Sequence, residues 1–236
     1  ETIVPDYCPD IARIIETDGK VYLHSRELRD GKAELSGTVR GTVLYTPDGE
    51  SGVRTLEFAI PFTAESDGRA LPGCQHLTAE TETEFLEARM LNPRKIFTHC
   101  KLVTHVTGYQ RKPLEFCSDT DAEPALQVEK RREGQHAILL THIAEKDFTF
   151  TEEMNLSPGR EGAAELLTSQ INSSVTETKI VGSKLIFKGV FSISLLYRDL
   201  NGGCGSASAE LPFSQIMEVE GAVEGSAASL QMQLTG

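Results

Sequence analysis

The sequence predicts an all-β protein: two related β-sandwich or barrel-like modules with one or two short helices. Three observations carry this. Apolar residues alternate with period two along several stretches, the mark of strands that turn one face to a core. Clusters of Gly, Pro, Asn and Asp break the chain at short intervals, as in sandwiches and barrels. One pattern also occurs twice: ELSGTVRGTVLYTPDG followed by IPF, and IFKGVFSISLLYRDLNGG followed by LPF. A repeat of this kind fixes architecture before any single residue does.

The two copies align without a gap from Asp10–Thr46 onto Gly162–Arg198, an offset of 152. Identities are few: Ala12/Ala164, Lys32/Lys184, Gly37/Gly189, Leu44/Leu196 and Tyr45/Tyr197. The apolar positions agree better, as in Ile14/Leu166, Leu35/Phe187, Val39/Phe191 and Val43/Leu195. A loop shorter by one residue in the second copy then brings Pro61-Phe62 onto Pro212-Phe213. The second copy ends at LQMQLTG, where the first goes on into EFLEARMLNPRKIFTHCKLVTHV, so it reads as shortened or as part of a longer chain; the Glu at position 1 points the same way.

Taken in order, Pro9 followed by Ile11, Ile14 and Ile15 has helical spacing and predicts a first short helix. Leu35, Val39, Val43 and Tyr45 form one strand face, matched by Phe187, Phe191, Ile193, Leu195 and Tyr197. Residues 95–107 alternate as well, with Ile96, Cys100, Leu102 and Val106 on one face and His99, Lys101 and His105 on the other. Turns are expected at Asp30-Gly31, Pro47-Asp48-Gly49, Pro72-Gly73, Asn92-Pro93 and Asn201-Gly202-Gly203. Phe148 and Phe150 fall on one face of a further expected strand. Ser157-Pro158, a capping hydroxyl before a first-turn proline, with Ala163, Leu166 and Leu167 beyond, predicts a second helix. The division is a first module at 1–113, a connecting β segment at 114–156 and a second, incomplete module at 157–236.

The net charge of −12 argues against nucleic acid, which needs Lys and Arg gathered on one face. Lys130-Arg131-Arg132 lies between Glu129 and Glu133 and reads as a solvated face. No stretch reaches the roughly 18 apolar residues of a membrane-spanning helix. The five cysteines, Cys8, Cys74, Cys100, Cys117 and Cys204, are odd in number and widely spaced, which fits reduced thiols better than a disulfide framework or a zinc pattern; oxidative cross-linking within an assembly is the alternative.

VPDYCPDIARII, then GK, G, VLY, DG and IPF, then ARMLNPRKI resembles the SPOCS domain family, a repeated domain of unknown function in spore-forming Firmicutes that includes the SipL-like spore-coat morphogenetic proteins. The resemblance covers nearly the whole chain. It implies a sporulation role, a protein partner that is itself a spore-coat morphogenetic protein, and work in the mother-cell cytoplasm at the forespore surface. No LysM module of the kind that often ends family members follows within the sequence, so binding assigned to LysM does not carry over.

The candidate interaction surface is the turn at Asn92, Arg94 and Lys95. An Arg-Lys pair on a tight turn suits a carboxylate or an acidic partner surface. The plainer reading has Asn and Pro making the turn while the two cations open a strand with their heads in water. Asp119, Asp121 and Glu123 alternate like the start of a calcium loop but lack its glycine and closing glutamate. His99 and His105 share a strand face at roughly 20 Å separation, too far for one metal. Asp6 and Asp10, beside Pro5 and Pro9, suit a turn better than a catalytic pair. No nucleophile elbow, zincin motif or phosphate loop occurs. The positions shared by the copies build a fold and include no acid, base or nucleophile. The expectation is a non-enzymatic scaffold of the spore envelope with no catalytic residue, cofactor or metal, and a cell-surface or cell-wall-associated binding protein as the alternative.

Overall fold

The computed structural model describes residues 1–66, 68, 71–113, 115, 117–119, 121, 129, 131, 133–134, 139–156 and 162–233. Among them are nine strands and no helix: β1 (Thr2–Ile3), β2 (Ile11–Arg29), β3 (Lys32–Pro47), β4 (Arg54–Ser66), β5 (His76–Asn92), β6 (Lys95–Tyr109), β7 (Ala163–Val181), β8 (Lys184–Asp199) and β9 (Cys204–Glu218). They form three antiparallel sheets in the orders β2-β3-β4, β1-β6-β5 and β7-β8-β9.

The repeat is visible in the ladders. β2-β3-β4 and β7-β8-β9 share connectivity, and Gly37 pairs with Phe62 as Gly189 pairs with Phe213. In both pairs the phenylalanine ring lies where the glycine's Cβ would be, so a side chain there would clash with the ring. β2 carries irregularities between Ile11/Arg13, Ile14/Glu16 and Leu23/Ser25; β7 carries them between Ala163/Glu165, Leu166/Thr168 and Val175/Glu177. All three recur at the offset of 152. A bulge is a specific feature of a strand, not noise, so its threefold recurrence ties the copies together more firmly than their few identities.

These bulges also correct the expected helices. Ile11 and Ile14 pair with Pro47 and Tyr45, two positions on one face of β3. Each bulge adds one residue to the alternation, so inward residues fall three apart and imitate a helical period. The same two bulges lie between Ala163 and Thr168, although Ala163 and Leu166 are exposed and Leu167 is the buried residue; Ser157 and Pro158 lie outside the described residues. The expected turns all fall between strands. Asp30 and Gly31 both have positive φ, 50° and 76°, and close a two-residue hairpin whose twist suits the flanking strands.

The first module is two-sheeted. Val39, Val43, Tyr45, Leu56 and Phe58 from one sheet meet Ala88 and Ile96 from the other, with Val4 and Ile11 closing the core. Tyr45 is fully buried and its hydroxyl donates to the Pro9 carbonyl at 3.3 Å. Loss of hydration pushes its pKa up to about 12. In the second module Leu185, Phe187, Phe191 and Phe213 form the core, and its cover is not a sheet. Phe148 packs against Phe187, Phe191 and Phe213, and Phe150 lies 5.0 Å from Phe191. The strand expected around these two residues is absent: residues 139–156 add no strand to any ladder, and Phe148 is part-buried on the core without one while Phe150 stays exposed. Ala228, Leu230 and Met232 complete the cover. At the offset of the Pro-Phe pair, these three stand where the first module has Leu77, Ala79 and Thr81 of β5. Gln231 and Gln233 reach from this tail to the Glu80 carboxylate and the Ala79 carbonyl.

Candidate interaction surface

The turn between β5 and β6 is built by its own side chains. Asn92 Oδ1 accepts the backbone N–H of Arg94 at 2.9 Å, closing the loop over Pro93. Asn92 pairs with Lys95 across the hairpin, and a register shift precedes it at Met90.

Arg94 is turned inward upon the N-terminal segment. One guanidinium nitrogen donates to the Cys8 carbonyl at 2.6 Å and to Asp10 Oδ1 at 3.0 Å. The other donates to the carbonyls of Val4 and Pro5 at 3.0 and 2.9 Å, with Asp6 at 3.4 Å. Backbone bonds from Val4 to Arg94 and from Ile11 to Pro93 run alongside. A planar fork with several donors is suited to gathering carbonyls in this way. Arg94 therefore fastens residues 4–10 across the end of the core. Asp6 and Asp10 serve that clamp and do not form a carboxylate pair of their own. Lys95 pairs with Glu1 at 2.5 Å, and that contact holds the Glu1 carboxyl below its usual range. Arg94 and Lys95 are thus alike in exposure, and both are paired with groups of the N-terminal segment.

The outer face of β5 and β6 carries Phe85, half-exposed, with its ring 5.7 Å from that of His99. Glu84 meets Lys101 at 2.6 Å, and Glu87 is held low by its contact with Arg89. His99 and His105 stand on this face beside Glu87 and Glu80. Burial raises the Cys100 thiol, which lies on the inner side. Among the described residues no three His, Cys, Asp or Glu side chains are grouped closely enough to hold a metal ion, and no helix is long and apolar enough to cross a membrane. Glu123 lies outside the described residues.

The family model described as SipL, SPOCS domain matches residues 10–91 and 162–235, more than half of the chain and both copies of the repeat. The chain belongs to this SPOCS family. The first match begins at the Arg94-clamped segment and runs through β5; the second takes in β7, β8, β9 and the tail. The SPOCS unit thus includes the position of β5, which the second copy fills with Ala228–Met232. No curated relative and no solved structure matches the chain.

What sequence reading missed is the difference between the two SPOCS cores. Gly19 pairs with Gly41, and Phe58 lies opposite Gly41 in β4. The equivalent positions hold Ile171, Ile193 and Ala209, again paired in the same ladder. The signal was present in the alignment: two glycines and an aromatic in one copy against two isoleucines and an alanine in the other.

Proposed function

We propose that this protein is a non-enzymatic component of spore-envelope assembly that acts through protein–protein contacts in the mother-cell cytoplasm at the forespore surface. The observation that carries this reading is the SPOCS match over both copies. Two features support it. The positions that the copies share, such as Gly37/Gly189 with Phe62/Phe213, serve the fold, which suits a protein that works through surfaces. Lys95 is part-exposed beside the β5–β6 turn, where it pairs with the first residue, Glu1.

The test is a gene deletion with electron microscopy of the spores, together with a fluorescent fusion followed through sporulation. A misassembled coat and a fluorescent shell around the forespore are expected. Intact coats in the deletion strain would overturn the reading, and a fusion found on the cell wall would put the surface-binding alternative in its place. Lys95→Glu tests the turn alone: a folded variant that fails to localise assigns it a contact, and normal localisation removes it.

A further inference from the structure

The outer face of the β1-β6-β5 sheet mixes large apolar side chains with charge. Phe85, Phe97 and Val103 stand on it at 45%, 43% and 36% exposed, and Ile3, opposite Lys95, extends it at 71%. Residues directly opposite in an antiparallel ladder share a face. Phe85 lies opposite Lys101, Glu87 opposite His99 and Arg89 opposite Phe97, so these six make three consecutive steps along the hairpin. The edge-to-face contact of Phe85 with His99 joins two of the steps. Exposed apolar surface rimmed by charge marks an interaction site.

The charges here are sorted by strand. β5 holds four glutamates, at 80, 82, 84 and 87, whereas β6 holds two lysines and two histidines and no acid. In a chain of net charge −12, most faces repel their own copies. A face divided lengthwise into an anionic and a cationic strand matches itself. A two-fold axis along the strands, above the gap between β5 and β6, lays β5 of each copy over β6 of the other at the same step. Glu87 then meets the second copy's His99. Lys101 lies over the second copy's Phe85 and Arg89 over the second copy's Phe97, both cation–π arrangements. An axis across the strands would instead set β5 on β5, glutamate against glutamate. Neighbouring described segments of the chain lie elsewhere. Glu145, Lys146 and Phe148 hold to Arg26, Ile216 and the second core, and Gln231 reaches only Glu80, at the end of the face far from the turn.

We infer that the outer face of β5 and β6 docks a second copy of this chain, in a closed two-fold pair centred on Glu87 and His99. The inference goes beyond the contact-based reading above and does not depend on where the protein works, so dimerisation and localisation fail separately.

The experiment is sedimentation velocity of the whole protein, kept reduced, over a range of concentrations and salt, with circular dichroism to check the fold of each variant. A concentration-dependent dimer is expected, weaker as salt rises because exposed charge pairs are screened. Phe97→Ser should weaken it about tenfold or more, as for the loss of a central aromatic anchor. Glu87→Lys and His99→Glu should each be monomeric alone and should dimerise when mixed. In the mixture the lysine of one variant meets the glutamate of the other, while the unchanged pair meets across the axis. A wild type that stays monomeric at every concentration overturns the inference, whether the face is bare or covered by the chain itself. A dimer unmoved by Phe97→Ser and by both charge reversals overturns it by placing the contact elsewhere. Single variants that remain monomeric when mixed overturn the two-fold arrangement.

Discussion

Gly19, Gly41 and Phe58 in the first module stand against Ile171, Ile193 and Ala209 in the second, and the two sets fill their cores from opposite strands. In the first, the glycines let the Phe58 ring and Leu86 come down onto the backbone. In the second, the isoleucines rise to fill that room and alanine makes way. Interiors pack at near-crystalline density, so a gain of volume at one position needs a loss nearby. The bulges of β2 and β7, in contrast, recur without change. The pairing frame of this fold is fixed by backbone geometry, and the filling is free to vary as long as its volume is kept.

The largest effect expected from this comparison is at the shared tyrosine. Tyr45→Ala and Tyr197→Ala should each cost about 3–5 kcal/mol, as for a large buried side chain. Hydrogen exchange resolved by sheet should show each loss confined to its own module. A loss below about 1 kcal/mol at either site would mean that the two tyrosines are not equivalent.

Arg94→Ala should cost about 2–4 kcal/mol, since charge-assisted bonds to carbonyls and Asp10 are lost together. The expected readout is deprotection of residues 4–11 with β7-β8-β9 unchanged. An unaltered N-terminal segment would show that backbone bonds alone hold it. Smaller again, Gly41→Ala should cost about 1–3 kcal/mol by overpacking. Phe58→Ala in the same chain should return part of it, because Ala209 faces Ile193 in the other copy; a double-mutant cycle with no coupling would break the volume argument.

The smallest effect at neutral pH is zero and grows only in alkali. The phenol of Tyr45 is held neutral in the folded protein up to about pH 12, against about 10 when unfolded. Below pH 10 both states are protonated and the full contribution is present. Between pH 10 and 12 the unfolded chain loses the proton first, so stability falls with rising pH. Denaturation curves across this window should fall less steeply for Tyr45→Phe than for wild type. Equal slopes would mean that another group sets the alkaline loss.

Much of the fold was legible in the residues. Period two at Leu35–Tyr45 and Phe187–Tyr197 gave the central strands and their inward faces, and Gly, Pro and Asn placed the turns. Ile11-Ile14-Ile15 misled because two bulges give a strand the spacing of a helix. Phe148 and Phe150 misled because rings on a core alternate whether or not the backbone between them joins a ladder. At the candidate site, Asn92 was legible as the turn maker. Arg94 was not, since its acceptors are backbone carbonyls, which every sequence has and none advertises.

The sequence by itself determined the repeat, the all-β class and the family, because these depend on alternation, turn chemistry and residue identity along the chain. Only the tertiary structure decided that Arg94 is an internal clamp, that the second core is covered by Phe148 and a tail, and that Leu166 is left in water where Ile14 is packed. Those outcomes depend on which distant segment lies over which face. That is set by the summed burial and backbone pairing of residues far apart in sequence, and no local pattern records it.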